Sequence, residues 1–342
     1  MNIETLLVSP LRPIIDARSE SEFEQGHIPG AINIPILNNN ERKLVGTCYK
    51  KEGREKAIKL GYELVENQLP AKIEQVKSIA PDHKAYLYCW RGGLRSKIFT
   101  ELLEANNFDI KRLENGYKAY RTWVLNFLTQ PLPFLILGGA TGTGKTEILK
   151  ELAILGEQII DIEGLCHHRG SAYGAIGQKP QPSNEQLEND MAMILNGFDK
   201  NKTIWVENES RNLGHVKIND DIYLQMRKAK VIEIKMPISL RITRVNAEYG
   251  VMPKDELIAS TRKLERKLGN LVMNQAINHL INDEYEQWIE ILLKYYDKAY
   301  AFGSAKRNPE DIYTIEINTN DMKANALRIL EFKKQLLTNG RH

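Results

Sequence analysis

Cysteine is scarce in this chain. Only Cys48, Cys89 and Cys166 occur among 342 residues, too few and too scattered for a disulfide framework. No CxxC pair or Cys/His ligand spacing offers a structural zinc site, so zinc is not expected and at least one thiol is free to react; Cys48 and Cys166 read as inert. Long apolar runs are also lacking. Nothing approaches the ~20 residues that cross a bilayer, and Met1 to Arg12 lack a cleavable signal pattern, so a cytoplasmic location without a membrane partner is the expectation. The chain lacks charge of one sign too. A formal net charge of +3 does not demand nucleic acid, although it leaves room for a local basic surface. With 42% apolar and 27% charged residues, disorder is not the default, and the length allows two domains with separate cores.

The pattern along the chain is α/β throughout. In residues 1–128 short apolar runs alternate with helical stretches, which predicts a parallel sheet covered by helices. Strands are expected at Pro13–Asp16, Ala85–Tyr88 and Asp109–Leu113, and Gly26 to Pro35 reads as a turn feeding a further strand, with helices over Glu20–Gln25, Arg54–Leu64, Ala71–Ala80, Ser96–Asn106 and Tyr117–Leu128. The segment Thr129-Gln130-Pro131-Leu132-Pro133 stops helix continuation, because proline lacks an amide donor and restricts the residue before it. A second α/β domain, 133–342, is predicted beyond it, with strands at Phe134–Leu137, Gln158–Asp161, Thr203–Glu207 and Val231–Met236. From about residue 238 the pattern becomes helical: Ile238–Tyr249, Lys254–Leu268, Asp283–Tyr300 and Asp321–Leu337.

Two loops carry the chemistry. Gly139-Ala140-Thr141-Gly142-Thr143-Gly144-Lys145-Thr146 follows a strand and opens a helix. Its small residues let backbone N–H groups curl around phosphate, Lys145 neutralises the anion, and Thr146 can hold magnesium. The loop reads phosphates and not the group they carry. Cys89-Trp90-Arg91-Gly92-Gly93-Leu94-Arg95-Ser96 also joins a strand to a helix, where backbone N–H groups and the positive helix end favour a thiolate and an oxyanion. Gly92 and Gly93 permit close backbone approach, Arg95 can fix the anion, and Ser96 can cap the helix. Magnesium at Thr146 would need a carboxylate, for which Asp161, Glu163, Glu207 and Glu209 are candidates; each is equally a solvated strand end. Arg241 and Arg244 share a helix face and could clamp phosphate, or lie in water. His168, Arg169 and Ser171 follow a strand end on the same side as the phosphate loop and could close over substrate. Between Arg241 and Lys267 there are seven basic residues against four acidic ones, a plausible RNA-contacting face. Tyr295, Tyr296 and Tyr300 sit at helical spacing, which suits a core as well as base stacking.

Asp16, Arg18, Glu22, Phe23, Gly26-His27-Ile28-Pro29-Gly30-Ala31, Asn33 and Pro35, followed by the Cys89 loop, resemble the rhodanese signature. The loop here has five residues between Cys89 and Arg95, one more than most rhodaneses, and is similar in that respect to phosphatases and arsenate reductases of rhodanese fold. Taken with His168-Arg169-Gly170-Ser171, Gln181-Pro182-Ser183, Glu207-Asn208-Glu209-Ser210-Arg211 and the stretch Asn40 to Lys50, the chain resembles the tRNA 2-selenouridine synthase family over nearly its whole length. That resemblance implies an N-terminal rhodanese-like domain and a C-terminal P-loop domain. It also implies tRNAs for lysine, glutamate and glutamine as substrates. Their wobble 2-thiouridine would be S-geranylated with geranyl diphosphate at the P-loop, then converted to 2-selenouridine with selenophosphate, Cys89 carrying the selenium. In this picture Cys89, Arg95 and Lys145 are catalytic, and Arg211 joins the substrate side. A thiosulfate sulfurtransferase, a rhodanese-fold phosphatase and a non-enzymatic tRNA or nucleotide binder remain open alternatives.

Overall fold

The computed structural model describes residues 1–8 and 12–339; expectations that touch 9–11 or 340–342 lie outside the described residues. Two units emerge from the contacts: Met1–Leu128 together with Glu185–Met193, and Thr129–Asn184 together with the chain from Ile194 onward.

In the first unit β1 (Ile14–Asp16), β2 (Ala31–Asn33), β3 (Lys84–Tyr88) and β4 (Asp109–Arg112) form a wholly parallel sheet in the order β2-β1-β3-β4. Ala85 to Tyr88 are all buried, as a strand covered on both faces requires. Pairing of Asp16 with Tyr88 brings the carboxyl ends of β1 and β3 level, so Asp16 and Cys89 share the sheet edge where ligands of such folds bind. Helices Arg54–Val65, Leu69–Ile79 and Leu94–Glu104 cover the sheet through Val65, Val76, Phe99 and Leu103, which join Ile15 and Leu87 in one core. Helix Asn39–Glu52, which periodicity does not announce, starts at a capping box: the Asn38 side chain accepts from the Glu41 amide, and Glu41 accepts from the Asn38 amide.

Residues 185–193 are an addition to this unit that the sequence pattern does not foretell. Leu187 and Met191 are buried, and the polar side is read by side chains. The Tyr117 hydroxyl donates to Glu185 Oε1 at 2.7 Å, Asn189 Nδ2 donates to the His27 carbonyl at 2.9 Å, and Arg121 donates to Asn189 Oδ1 at 2.6 Å.

The second unit holds β5 (Phe134–Gly139), β6 (Gln158–Ile160), β7 (Ile204–Glu207), β8 (Asn212–Leu213), β9 (Val216–Lys217), β10 (Val231–Lys235) and β11 (Ile312–Glu316). Five of them make a parallel sheet in the order β11-β10-β5-β7-β6, while β8 and β9 form a small antiparallel ribbon. Helices Lys145–Ile154 and Met322–Asn339 pack on the sheet through Ile148, Leu152 and Ile329, against Leu137, Trp205 and Ile234. The expectation of helix alone beyond Pro237 is corrected at β11, an edge strand too short to outweigh the helical pattern around it. It is corrected also at Lys254–Leu268, which breaks into Lys254–Arg262 and Glu265–Leu268; a further helix, Asn270–Ile281, agrees with the helical pattern although it lies outside the named segments. A separate cluster centred on Trp288 gathers Tyr173, Tyr249, Leu257, Leu280 and Leu292, with Tyr295 and Tyr296 packed against it. Among the described residues no helix is long and apolar enough to cross a membrane.

Candidate functional site

Central strand β5 delivers Gly139 into the phosphate loop, and helix Lys145–Ile154 leaves it. Gly142 and Gly144 have φ of +83° and +78°, a region that side-chain-bearing residues rarely adopt. A Cβ on Gly142 would stand 2.8 Å from Val245 Cγ2, so loop and helix Ile238–Tyr249 meet as closely as glycine permits. The Gly139 amide donates to the Tyr300 hydroxyl at 2.7 Å, Lys145 Nζ donates to the Gly139 carbonyl at 3.0 Å, and the buried Thr143 hydroxyl donates to the Ala140 carbonyl. Tyr300 is therefore a support of the loop, and the Tyr296 hydroxyl accepts from the Ala172 amide.

The two helix arginines are engaged. Arg241 is buried, donating through Nε to the Thr141 carbonyl at 2.8 Å and through both terminal nitrogens to Asp297. In this structure it braces the loop from beneath. Arg244 pairs with Glu147 at 2.6 Å and touches Met322 Sδ.

Beside Lys145 lies a cluster of carboxylates. Glu163 follows β6, while Glu207 ends β7 and Glu209 comes two residues later; their ligand atoms all lie within 4.8 Å of one another. Thr146 Oγ1 is 3.2 Å from both Glu163 Oε2 and Glu207 Oε2, and its single proton serves one at a time. Burial together with the neighbouring Glu209 charge pushes Glu163 up to about 8; burial, with Glu163 and Glu209 nearby, holds Glu207 well above the carboxylate range. Glu207 is 1% exposed and its Oε1 has no hydrogen-bond partner. Buried carboxylates of this kind hold protons or meet a cation. Three hard oxygen donors plus the Thr146 hydroxyl fit a magnesium-type ion.

Other candidates fall on either side of this cluster. Asp161 serves as the cap of helix Ile162–Cys166, accepting from the Gly164 amide at 2.7 Å. Gly170 has φ +69°, and a Cβ there would stand 2.9 Å from Glu209 Oε2 and 3.0 Å from Glu163 Oε1, so the His168 to Ser171 turn lies against the carboxylates. His168 is buried and accepts from the Gly170 amide, Arg169 pairs with Glu248, and the Ser171 hydroxyl meets that of Tyr249. Burial, with His215 nearby, lowers the His168 pKa. Arg211 pairs with Asp220 next to the β8–β9 ribbon. Cys166 is buried, and burial pushes its thiol up to about 12.

The thiol loop is built from the end of β3. Cys89 is 3% exposed; its Sγ donates to Ser96 Oγ at 3.2 Å, and Ser96 donates onward to the Gly93 carbonyl at 3.0 Å. Trp90, Arg91, Gly93 and Leu94 are exposed along the loop. Gly116 supports it from behind: with φ +58°, it brings the chain so near that a Cβ would collide with the Cys89 carbonyl. The Asn115-Gly116 dipeptide is a turn signal that points to this contact.

Arg95, expected at the anion, forms a two-bond pair with Glu22 at 2.6 and 3.1 Å. Burial would raise Glu22, yet the bonds and charge of Arg95, with the Ser19 amide and Arg42, hold it down to about 2. Arg18 is 1% exposed, bound through two nitrogens to buried Asp16, and its guanidinium lies 3.8 Å from the Tyr117 ring centroid. The signature residues Asp16, Arg18 and Glu22 thus form the frame of the loop.

Fold and loops define a class: a rhodanese-type thiol unit and a P-loop unit on one chain. The family model for the rhodanese-like domain matches residues 3–122, and that for the tRNA 2-selenouridine synthase AAA domain matches residues 132–279. The tRNA 2-selenouridine synthase of Shewanella halifaxensis (strain HAW-EB4) is 33% identical over 339 residues, covering 88% of this chain and 91% of that protein. Its namesake from Pseudomonas fluorescens (strain Pf-5) is 34% identical over 330 residues, with coverage of 85% and 88%, and that from Nitrosomonas europaea is 37% identical over 245 residues, with coverage of 69% and 63%. The chain belongs to the tRNA 2-selenouridine synthase family of enzymes.

Proposed function

We propose that this enzyme converts wobble 2-thiouridine in the tRNAs for lysine, glutamate and glutamine to 2-selenouridine in two steps, in the cytoplasm. The first joins the base sulfur to geranyl diphosphate. The second exchanges geranylthiolate for selenium drawn from selenophosphate. The observation that carries this reading is the pairing, in a member of this family, of an anion loop closed by Lys145 with a thiol at the centre of a second glycine-rich loop.

At the P-loop, the amides around Gly142 and Gly144, with Lys145, would receive the diphosphate. Sulfur–carbon bond formation then accompanies carbon–oxygen cleavage, and the charge developing on the departing diphosphate is stabilised by groups already in place. Glu163, Glu207, Glu209 and Thr146 would hold magnesium, which when bound supplies positive charge to the phosphates. Alkylation makes the sulfur a better leaving group. In the thiol unit the selenium of bound selenophosphate forms the C2–Se bond as the C2–S bond breaks and geranylthiolate leaves with the electron pair; water then cleaves the Se–P bond and releases phosphate, Cys89 being the thiol at the head of the loop that holds the selenophosphate. Arg91 and the Gly92-Gly93 backbone offer the selenophosphate oxygens their donors, while Arg95 works through Glu22 as a positioning residue. Exposed Arg262, Lys263, Arg266 and Lys267 supply tRNA phosphate contacts.

The test is a division of labour. Purified Cys89→Ala is expected to make S-geranyl tRNA but no selenouridine, and Lys145→Ala to lose geranylation while retaining selenation of pre-geranylated tRNA. Selenouridine formed by Cys89→Ala at the wild-type rate would refute the assignment.

A further inference from the structure

The first unit contains a cavity that neither loop accounts for. Its volume is about 440 Å³, within the range of roughly 300–1,000 Å³ common to small-molecule sites. Helices Asn39–Glu52, Arg54–Val65 and Leu94–Glu104 supply its walls, with Ile36, Leu37, Val45, Ile58, Val65 and Ile98 among the apolar side chains lining it. Two more lining residues, Tyr49 and Tyr62, are 59% and 47% exposed, and Leu94 is 39% exposed. Large apolar groups are thus left beside an apolar hollow.

Charge complements that hollow with one sign only. Among the described residues Arg42, Lys50, Arg54 and Arg95 line the cavity and no acidic side chain does. Glu22 pairs with Arg95 and stands 3.9 Å from Arg42, which leaves Lys50 and Arg54 as the cations available to a ligand. A hydrocarbon chain attached to a phosphate-bearing head matches both features: the chain removes apolar surface from water, and the head meets the cations. Leu94 and Arg95 belong to the thiol loop and to the cavity wall alike, so a ligand seated here is next to the loop that carries Cys89.

We propose that this cavity holds the prenyl chain of the S-alkylated wobble nucleoside, the tRNA phosphates lying toward Lys50 and Arg54. The inference rests on the two-step reading and deepens it: the thiol unit would recognise its substrate by the hydrocarbon that is about to leave. Unmodified 2-thiouridine lacks that handle, which gives the second step its selectivity.

Gly61 provides the test. It lines the cavity, and a Cβ on it would meet only Val45 Cγ2, at 4.0 Å, so Gly61→Trp directs bulk into the hollow while Gly61→Ala leaves it open. Binding is measured with the full-length protein and anticodon stem-loops bearing either 2-thiouridine or its S-geranyl form. Wild type and Gly61→Ala should prefer the geranylated stem-loop by about tenfold or more, and Gly61→Trp should bind both alike. Equal preference in Gly61→Trp and wild type would overturn the cavity assignment. A chain-length series on wild type alone, from S-methyl through five-carbon to S-geranyl, guards against a misfolded variant: affinity should climb along the series, and a flat series would overturn the proposal. Free geranyl diphosphate that displaces the geranylated stem-loop at equal concentration would likewise overturn it, by making the diphosphate the occupant. Should wild type select the geranylated stem-loop yet fail to selenate it, the two-step reading falls while the cavity stands.

Discussion

Glu207 presents one oxygen to the Thr146 hydroxyl and leaves the other buried without a partner. Such a group is costly as a bare anion and favourable next to a cation. Magnesium should therefore raise the melting temperature of the protein. At about 100 times its dissociation constant the ion would contribute about 2.7 kcal/mol, and Glu207→Gln should lose most of that gain while keeping its shape. A magnesium response in Glu207→Gln equal to wild type, measured by thermal denaturation, would remove this carboxylate from the site. Lys145, Thr146 and Cys89 were legible in the sequence because their motifs fix their spacing along the chain. Tyr300 and Asp297, which support the phosphate loop, were not, since each is more than a hundred residues from it in sequence and meets it only through folding. The part of Glu22 in holding Arg95 was hidden in the same way: the signature names the residue but not its partner.

At the scale of elements, the Glu22–Arg95 pair ties helix Glu20–Gln25 to helix Leu94–Glu104, which opens out of the thiol loop. A folded-state value of about 2, below that of an ordinary glutamate, means that this contribution is present above the usual carboxylate range and is lost as pH falls toward 2. Glu22→Gln should cost about 1–2 kcal/mol near neutral pH, allowing for partial exposure, and the difference from wild type should shrink on acidification. Denaturation midpoints of the two proteins between pH 6 and 3 would check it; a constant gap would show that the charge is not the cause. Helix Ile238–Tyr249 plays the matching part under the phosphate loop, where buried Arg241 joins Thr141 to Asp297. Arg241→Met should destabilise the second unit by roughly 3 kcal/mol and weaken diphosphate binding, read by calorimetry with inorganic diphosphate. Unaltered binding would make the brace dispensable. The central strands could be foreseen, because buried parallel strands are continuous apolar runs between turn signals. Edge strand β11 and the return of residues 185–193 to the first unit depend on long-range pairing, which local periodicity does not record.

For the molecule as a whole, a tRNA substrate requires an RNA footprint in addition to two anion loops. Arg262, Lys263, Arg266 and Lys267 are exposed on two consecutive short helices and the turn between them, whereas Arg241, counted in the same basic stretch, is buried. The footprint suggested by charge counting is therefore smaller than the count. Lys263→Glu with Arg266→Glu should weaken tRNA binding and lower its slope against log salt by roughly 1.5–2, the equivalent of two phosphate contacts. An unchanged slope would move the footprint elsewhere. On the proposed function, one polypeptide alkylates the wobble sulfur and then replaces it with selenium. Mass spectrometry of wobble nucleosides tests it most directly, in selenium-fed cells lacking the chromosomal gene and supplied with wild type, Cys89→Ala, Lys145→Ala or no protein. Expected are 2-selenouridine with wild type alone, S-geranyl-2-thiouridine accumulating with Cys89→Ala, and only 2-thiouridine with Lys145→Ala or the empty vector. Selenouridine in the Lys145→Ala cells without any geranylated nucleoside would contradict it.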